Sequence, residues 1–222
     1  MRRSQALPHS LYLGSIGVSL QELTSVYCVF ANGGKRVQPI FVTKIVDRDG
    51  KVLEENFPKS QPVISPATAY IMTSLMESVV QAGTGSRVRA IGRPCAGKTG
   101  TTDEFIDAWF MGFVPQLTSG VWVGFDDEKT IGAYETGAKA AVPIWLDYMT
   151  GAVKGMPIES FPIPEGVVFE PVDPETGDLT GDAEAGAGVI ECFKSGSLPT
   201  NGSGEYGKPS EGSRFWKEDL GL

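Results

Sequence analysis

Residues Ala96-Gly97-Lys98-Thr99-Gly100-Thr101-Thr102 place one lysine and a run of hydroxyls among glycines. A lysine flanked by glycines can lie close to an anion, because the missing side chains let the backbone approach the ligand. Two chemistries use such a stretch. In the first it is a phosphate-cradling loop, and Gly92 to Thr99 does satisfy G-x-x-x-x-G-K-[ST]. In the second it is a Lys-Thr-Gly strand beside a nucleophilic serine, whose lysine and hydroxyls hold the carboxylate of an acyl donor. Arg87, Arg89 and Arg93 fall just upstream of Lys98. They read either as a solvated connection or as a positive field near an anionic substrate.

Composition narrows the classes. The 222 residues are 41% hydrophobic, enough for a sizeable core in one domain or in one domain with an appendage. Residues 1–150 carry 14 Lys+Arg against 14 Asp+Glu, while 151–222 carry 5 against 13, so the whole net charge of -8 lies in the second part. Neither part has the basic stripe of a nucleic-acid binder, so no nucleic acid is expected as a partner. Cys28, Cys95 and Cys192 match no metal spacing and no disulfide framework. Cys28 reads as a buried thiol, and Cys95, just before the lysine stretch, as a small core residue at a strand start with a reactive thiol as the alternative. His9, the only histidine, has no neighbour that suggests a ligand or a base, which argues against a His-dependent triad within these residues. No cofactor or metal is expected. Met1-Arg2-Arg3 is not followed by an apolar run, and no stretch approaches the ~20 apolar residues of a membrane helix. No membrane segment is therefore expected.

The elements that must position the lysine stretch are legible from caps and periodicity. Residues 1–18 read as loop and turn, with Leu11 to Ser15 leading into a helix. Ser19 and Glu22 form a capping box ahead of a core-facing helix through Leu20, Leu23, Val26, Tyr27 and Phe30, stopped at Gly33-Gly34. Val37 to Val46 and Val52-Leu53 flank Asp49-Gly50 as a hairpin, and a loop follows through Pro58 and Pro62. Ser65-Pro66 opens a second helix with an apolar stripe at Ala69, Met72, Leu75, Met76 and Val79. Gly83 to Arg89 is a glycine-rich connection. Asp107 to Val114 and Val121 to Phe125 read as antiparallel neighbours broken at Pro115-Gln116, and a helix follows from Ala140 through Trp145. Trp109, Trp122 and Trp145 read as core. From Gly155 the chain turns Pro-, Gly- and acid-rich, with apolar islands at Val167-Val168-Phe169 and Val189-Ile190. This predicts one or two small hairpins and a flexible end from about Ser195.

This context separates the two chemistries. A phosphate-binding loop follows a buried parallel strand and opens a helix. Here Arg-, Gly- and Pro-rich residues precede Lys98 and a strand follows, so nucleotide binding is disfavoured, although Val121 to Asp126 resembles a strand ending in a metal-binding aspartate. A Lys-Thr-Gly strand at the edge of an antiparallel sheet fits instead. A substrate can add to that edge as an extra strand, with a backbone N–H serving as oxyanion donor.

With those residues in place, the chain resembles the C-terminal part of the transpeptidase domain of class A (bifunctional) penicillin-binding proteins. The likeness is carried by Ser19 to Tyr27, Phe30 to Gly34, Gly83-Thr84-Gly85, Gly97 to Thr102, Asp107 to Phe110 with Gly112-Phe113, and Gly120 to Gly124. Ala141 to Trp145 and Asp173-Pro174-Glu175-Thr176-Gly177 complete the series, which spans about residues 14–200. The resemblance implies an α+β fold, an antiparallel sheet flanked by helices, incomplete here, with a small β-rich C-terminal appendage. It places the transpeptidase portion at 1–154 and the appendage at 155–222. It also implies serine acyl transfer on the D-Ala-D-Ala end of peptidoglycan stem peptides, with β-lactams captured as stable acyl-enzymes. Lys98, Thr99 and Thr101 resemble the carboxylate-binding residues, Gly100 the clearance residue, and the Thr101 N–H an oxyanion donor, with Thr102 a weaker candidate.

The departure from the family is large. No serine here has Lys three positions on, nor Asn two positions on, so S-x-x-K and S-x-N are both missing from these residues. The family's membrane anchor and glycosyltransferase domain are missing as well. The expectation is a fragment of a transpeptidase at the periplasmic face of the bacterial inner membrane. By itself it should neither hydrolyse nor retain a β-lactam, and it should self-associate or need an upstream segment. A non-catalytic binding or scaffold module is the alternative. A serine β-lactamase is disfavoured by the Asp-Pro-Glu-Thr-Gly tail and the tryptophan strands.

Overall fold

The structure is a computed structural model that describes residues 17–127, 129–180 and 188–199. His9 and the Leu11 to Ser15 lead-in lie outside the described residues, as does 200–222 of the acidic end.

A three-stranded antiparallel sheet forms the centre, from β5 (Ala96–Thr101), β6 (Ala108–Val114) and β7 (Leu117–Val123), in the order β5-β6-β7. Pro115-Gln116 joins β6 to β7 in a tight turn that pairs Val114 with Leu117, so β7 begins four residues before the expected Val121. Side chains alternate across the strands, and each face takes its own cover. On one face Met111 and Gly120 lie under Thr24 of α1 (Leu20–Ala31). On the other, Phe110 meets the Trp145 ring edge-on at 5.1 Å, from α3 (Val142–Ala152). Trp145 is fully buried and its indole N–H donates to the Ser119 carbonyl at 3.0 Å, so its one polar atom is satisfied.

Two clusters result. Val80, Val88, Cys95, Phe110, Val114, Trp145 and Met149 fill the α3 side. Met76, Ala96, Phe113 and Phe161 fill the other, with Tyr27 and Phe30 packed against them. The α2 helix (Pro66–Gln81) serves both, through Met76 and Val80.

The caps form as the sequence predicts. Ser19 Oγ accepts from Glu22 N, while the Ser19 N–H and hydroxyl both donate to the Glu22 carboxylate and hold it below its usual range. Ser65 accepts from Thr68 N.

Several expectations are corrected. The buried stripe of α2 is Ala67, Ala69, Thr73, Met76 and Val80, while Met72 and Leu75 are exposed. Thr73 fits because its hydroxyl donates to the Ala69 carbonyl, which leaves no unpaired polar atom. The α1 helix is half-buried rather than core-facing, with Leu20 and Val26 exposed, and Cys28 is only partly buried. Val37 to Val46 is not one strand. It splits into β1 (Lys35–Val37) and β2 (Lys44–Val46) at Pro39, which cannot donate to a ladder. β2 pairs with β3 (Val52–Glu55) across Asp49-Gly50, and β1 pairs outside it with β4 (Ser60–Pro62), where a loop was expected. Gly83 to Arg89 runs into a short 3-10 helix, Ser86–Ile91, anchored by the fully buried Val88. Trp109 and Trp122 are half-buried and pair across β6 and β7 at 6.1 Å.

Beyond Gly155, β8 (Val167–Val172) and β9 (Val189–Lys194) form the expected hairpin. It packs on α2, with Phe169 edge-on to Tyr70 at 6.1 Å and Cys192 buried. Asp173 Oδ1 accepts from Glu175 N and Thr176 N, so Asp-Pro-Glu-Thr-Gly is a turn. The chain leaves β9 through Ser195, whose N–H donates to the Gly166 carbonyl.

Candidate active-site strand

β5 is an edge strand. It pairs with β6 from Ala96↔Phe113 to Thr101↔Ala108, and no other described strand joins it. The orientation of its backbone follows from one bond. Thr102 N donates to Asp107 O, in register with the ladder, so the even-numbered residues of β5 bond to β6. Antiparallel pairs alternate between bonded and non-bonded. The N–H and C=O groups of Gly97, Thr99 and Thr101 therefore point to the open edge.

The side chains converge on the same edge. Lys98 is exposed, and its ammonium reaches round to the Thr99 carbonyl at 2.8 Å. The Thr99 hydroxyl lies 2.7 Å from that of Thr84, at the turn that ends α2. The Thr101 hydroxyl accepts from Gly137 N at 3.1 Å, which leaves its own proton available. Thr102 is tied down differently: its hydroxyl accepts from Asp107 N at 2.8 Å and closes the β5–β6 turn. Asp107 in turn accepts from the Trp122 indole N–H at 2.7 Å.

No motif in the sequence singles out Gly137. A Cβ there would strike the Trp109 and Gly100 carbonyl oxygens, so the turn entering α3 lies directly on the β5–β6 ladder. Thr84 stands out in the sequence only as part of Gly83-Thr84-Gly85. The signal that exposes Gly137 is a glycine with no turn to make, which marks a close approach of backbone; for Thr84 it is a hydroxyl held between two glycines at a helix end.

The charged cluster upstream does not assemble. Arg93 donates to the carbonyls of Val153, Met156 and Pro157 beyond the end of α3, and Arg89 Nε to Ser86 O. Arg93 is a helix-end clamp. Cys95, at the entry to β5, is buried, and burial pushes its thiol up to about 12. The phosphate-loop geometry is excluded: Lys98 and Thr99 lie inside a strand, and only a single 3-10 turn, Asp103–Phe105, separates it from β6, with no helix whose N-terminus could hold a phosphate. Among the described residues no group of three or more His, Cys, Asp or Glu side chains is placed to hold a metal, and no helix is long and apolar enough to cross a membrane.

Comparison with known proteins agrees with this architecture. Residues 4–150 match the family described as the penicillin binding protein transpeptidase domain. Penicillin-binding protein 1A of Aquifex aeolicus is 41% identical over 191 residues, 86% of this chain and 26% of its own length. The protein of that name in Neisseria meningitidis is 42% identical over 174 residues, covering 75% and 22%. The chain thus spans about a quarter of these relatives. The crystal structure of penicillin-binding protein 1A from Haemophilus influenzae superposes with a TM-score of 0.82 at 29% identity, covering 91% of this chain and 36% of that one. PonA1 of Mycobacterium tuberculosis, in complex with penicillin V, gives 0.64 at 30% identity over 73% of this chain and 45% of its own. By sequence and by fold, the chain belongs to the penicillin-binding protein transpeptidase domain family.

Proposed function

We propose that β5 is the carboxylate-binding wall of a serine-type D,D-transpeptidase that crosslinks peptidoglycan. The observation that carries this reading is the open edge, where the outward N–H groups of Thr99 and Thr101 lie beside two hydroxyls and the Lys98 ammonium. A D-alanyl peptide laid along that edge gains main-chain hydrogen bonds as an added strand. Lys98, Thr99 and Thr101 hold its terminal carboxylate by charge-assisted bonds. The Thr101 N–H faces the acyl carbonyl as it takes on negative charge, and Gly100 keeps the approach open. Thr102 has a lesser part, since its hydroxyl is engaged at the turn. In the whole protein a serine attacks the peptide, releases D-alanine, and passes the acyl group to the amine of a second stem peptide. β-Lactams, which mimic the donor, stall at the acyl-enzyme. The site works at the periplasmic face of the inner membrane, where the stem peptides are.

The 222 residues contain no S-x-x-K, so the nucleophile comes from sequence outside them. The family match ends at residue 150, which supports dividing the transpeptidase portion from an appendage near 154. Fluorescent penicillin tests the reading. The 222-residue chain should remain unlabelled, and adding an upstream segment that carries S-x-x-K should restore stoichiometric labelling. Labelling of the chain alone, or none with that segment present, overturns it. The missing serine motif also favours a second reading, a non-catalytic scaffold module, and a gene with no S-x-x-K upstream would select it.

A further inference from the structure

We propose that Thr84 is a positioning residue for Thr99: its hydroxyl donates to Thr99 Oγ1, so that Thr99 directs its own proton to the carboxylate of a bound peptide. The inference rests on the reading of β5 as a carboxylate site. The two oxygens lie 2.7 Å apart and are separated by 15 residues, a contact that the end of α2 makes and β5 alone does not. A hydroxyl has one proton to give and two lone pairs. One of the pair's two protons therefore lies between the oxygens, and which residue supplies it decides what the other presents outward. If Thr99 donated to Thr84, an anion at the edge would meet a lone pair. With Thr84 as donor, the anion meets a proton, and the two bonds polarise one another.

The mount of Thr84 is stiff. Gly83 N and Gly85 N both donate to the Val79 carbonyl, at 3.0 and 3.1 Å, and Ser86 N donates to the Gly83 carbonyl at 3.2 Å. A Cβ on Gly83 would lie 2.9 Å from the Val79 carbonyl oxygen, so the chain turns tightly over the helix end with Thr84 at its apex. Gly85 is buried against Val79 and Phe110, while Thr84 is exposed. An exposed threonine between two constrained glycines has no packing role to explain it.

The test is a titration of the isotope-labelled 222-residue chain, followed by NMR at the Thr99 methyl and amide. The probes are N-acetyl-D-alanyl-D-alanine and the same peptide with its carboxylate amidated. Wild type and Thr84→Ser should bind the carboxylate peptide alike, within about twofold, whereas Thr84→Val should bind it at least about fivefold more weakly, the size of one neutral hydrogen bond. The amidated peptide should bind weakly to all three, with no response to Thr84→Val. Equal affinity of Thr84→Val and wild type overturns the proposal and leaves the carboxylate reading intact. Equal weakening of both probes makes Thr84 structural and also overturns it. No saturable shift in wild type sinks the carboxylate reading, and the proposal with it. If Thr84→Val loses dispersed indole resonances, Thr84→Ala replaces it, and unfolding of both assigns Thr84 to stability and ends the proposal.

Discussion

Lys98 is attached to the fold by one exposed bond to its neighbour's carbonyl, which a carboxylate can displace at small cost. Lys98→Met should therefore leave folding untouched and weaken N-acetyl-D-alanyl-D-alanine binding by about tenfold or more, since a charged hydrogen bond is lost. The same NMR titration reads it. Cys95 stands at the opposite extreme. A thiol pushed up to about 12 by burial is uncharged at neutral pH and out of reach of reagents. Native chain treated with a maleimide should remain unmodified at Cys95, and the residue should react once the chain is denatured, as peptide mass mapping will show. The two roles were legible to different degrees. Cys95, a small residue at a strand start, reads as core from sequence alone. The backbone directions of Thr99 and Thr101 do not, because they depend on which residue of β6 each one faces.

At the scale of elements, β5 is positioned from three sides: β6 by ladder, α2 through Thr84, and the turn into α3 through Gly137. Gly137→Ala should be the most damaging single-methyl change in this region, because its Cβ meets backbone carbonyls that cannot move aside. We expect a loss of about 1–3 kcal/mol or more in denaturant unfolding, the cost of overpacking. Glu77 on α2 offers a pH test. Burial holds its carboxyl above the usual range. A group that binds its proton more tightly in the folded state contributes stability below the ordinary carboxylate value and loses it as pH rises through the raised one. Glu77→Gln should raise Tm by roughly a degree or two at about pH 8, and the gain should vanish near about pH 4. A gain of equal size at both pH values would show that ionisation is not its cause.

For the whole molecule, the β1–β4 arm is the least supported part. Phe41 is 83% exposed, Phe57 69% and Leu53 62%, with Ile45, Val46 and Val52 exposed beside them. Scattered apolar exposure is ordinary, but several large side chains on one short arm favour association. We expect the 222-residue chain to sediment with concentration-dependent mass, and Phe41→Ser with Leu53→Ser to reduce it; a monomer at all concentrations sinks this expectation. The helix starts, the Asp-Gly hairpin, the β6–β7 pair and the family are legible in the sequence, because caps, turns and motifs act over a few residues and need no partner. Packing in three dimensions selects which stripe of α2 is buried, closes β1 and β4 around the inner hairpin, and sets Arg93 to clamp a helix end instead of facing a substrate. The same packing brings Thr84 and Gly137 to two hydroxyls of β5. Each of these depends on contacts between residues far apart in the chain, where several apolar or polar arrangements match one pattern and packing selects among them.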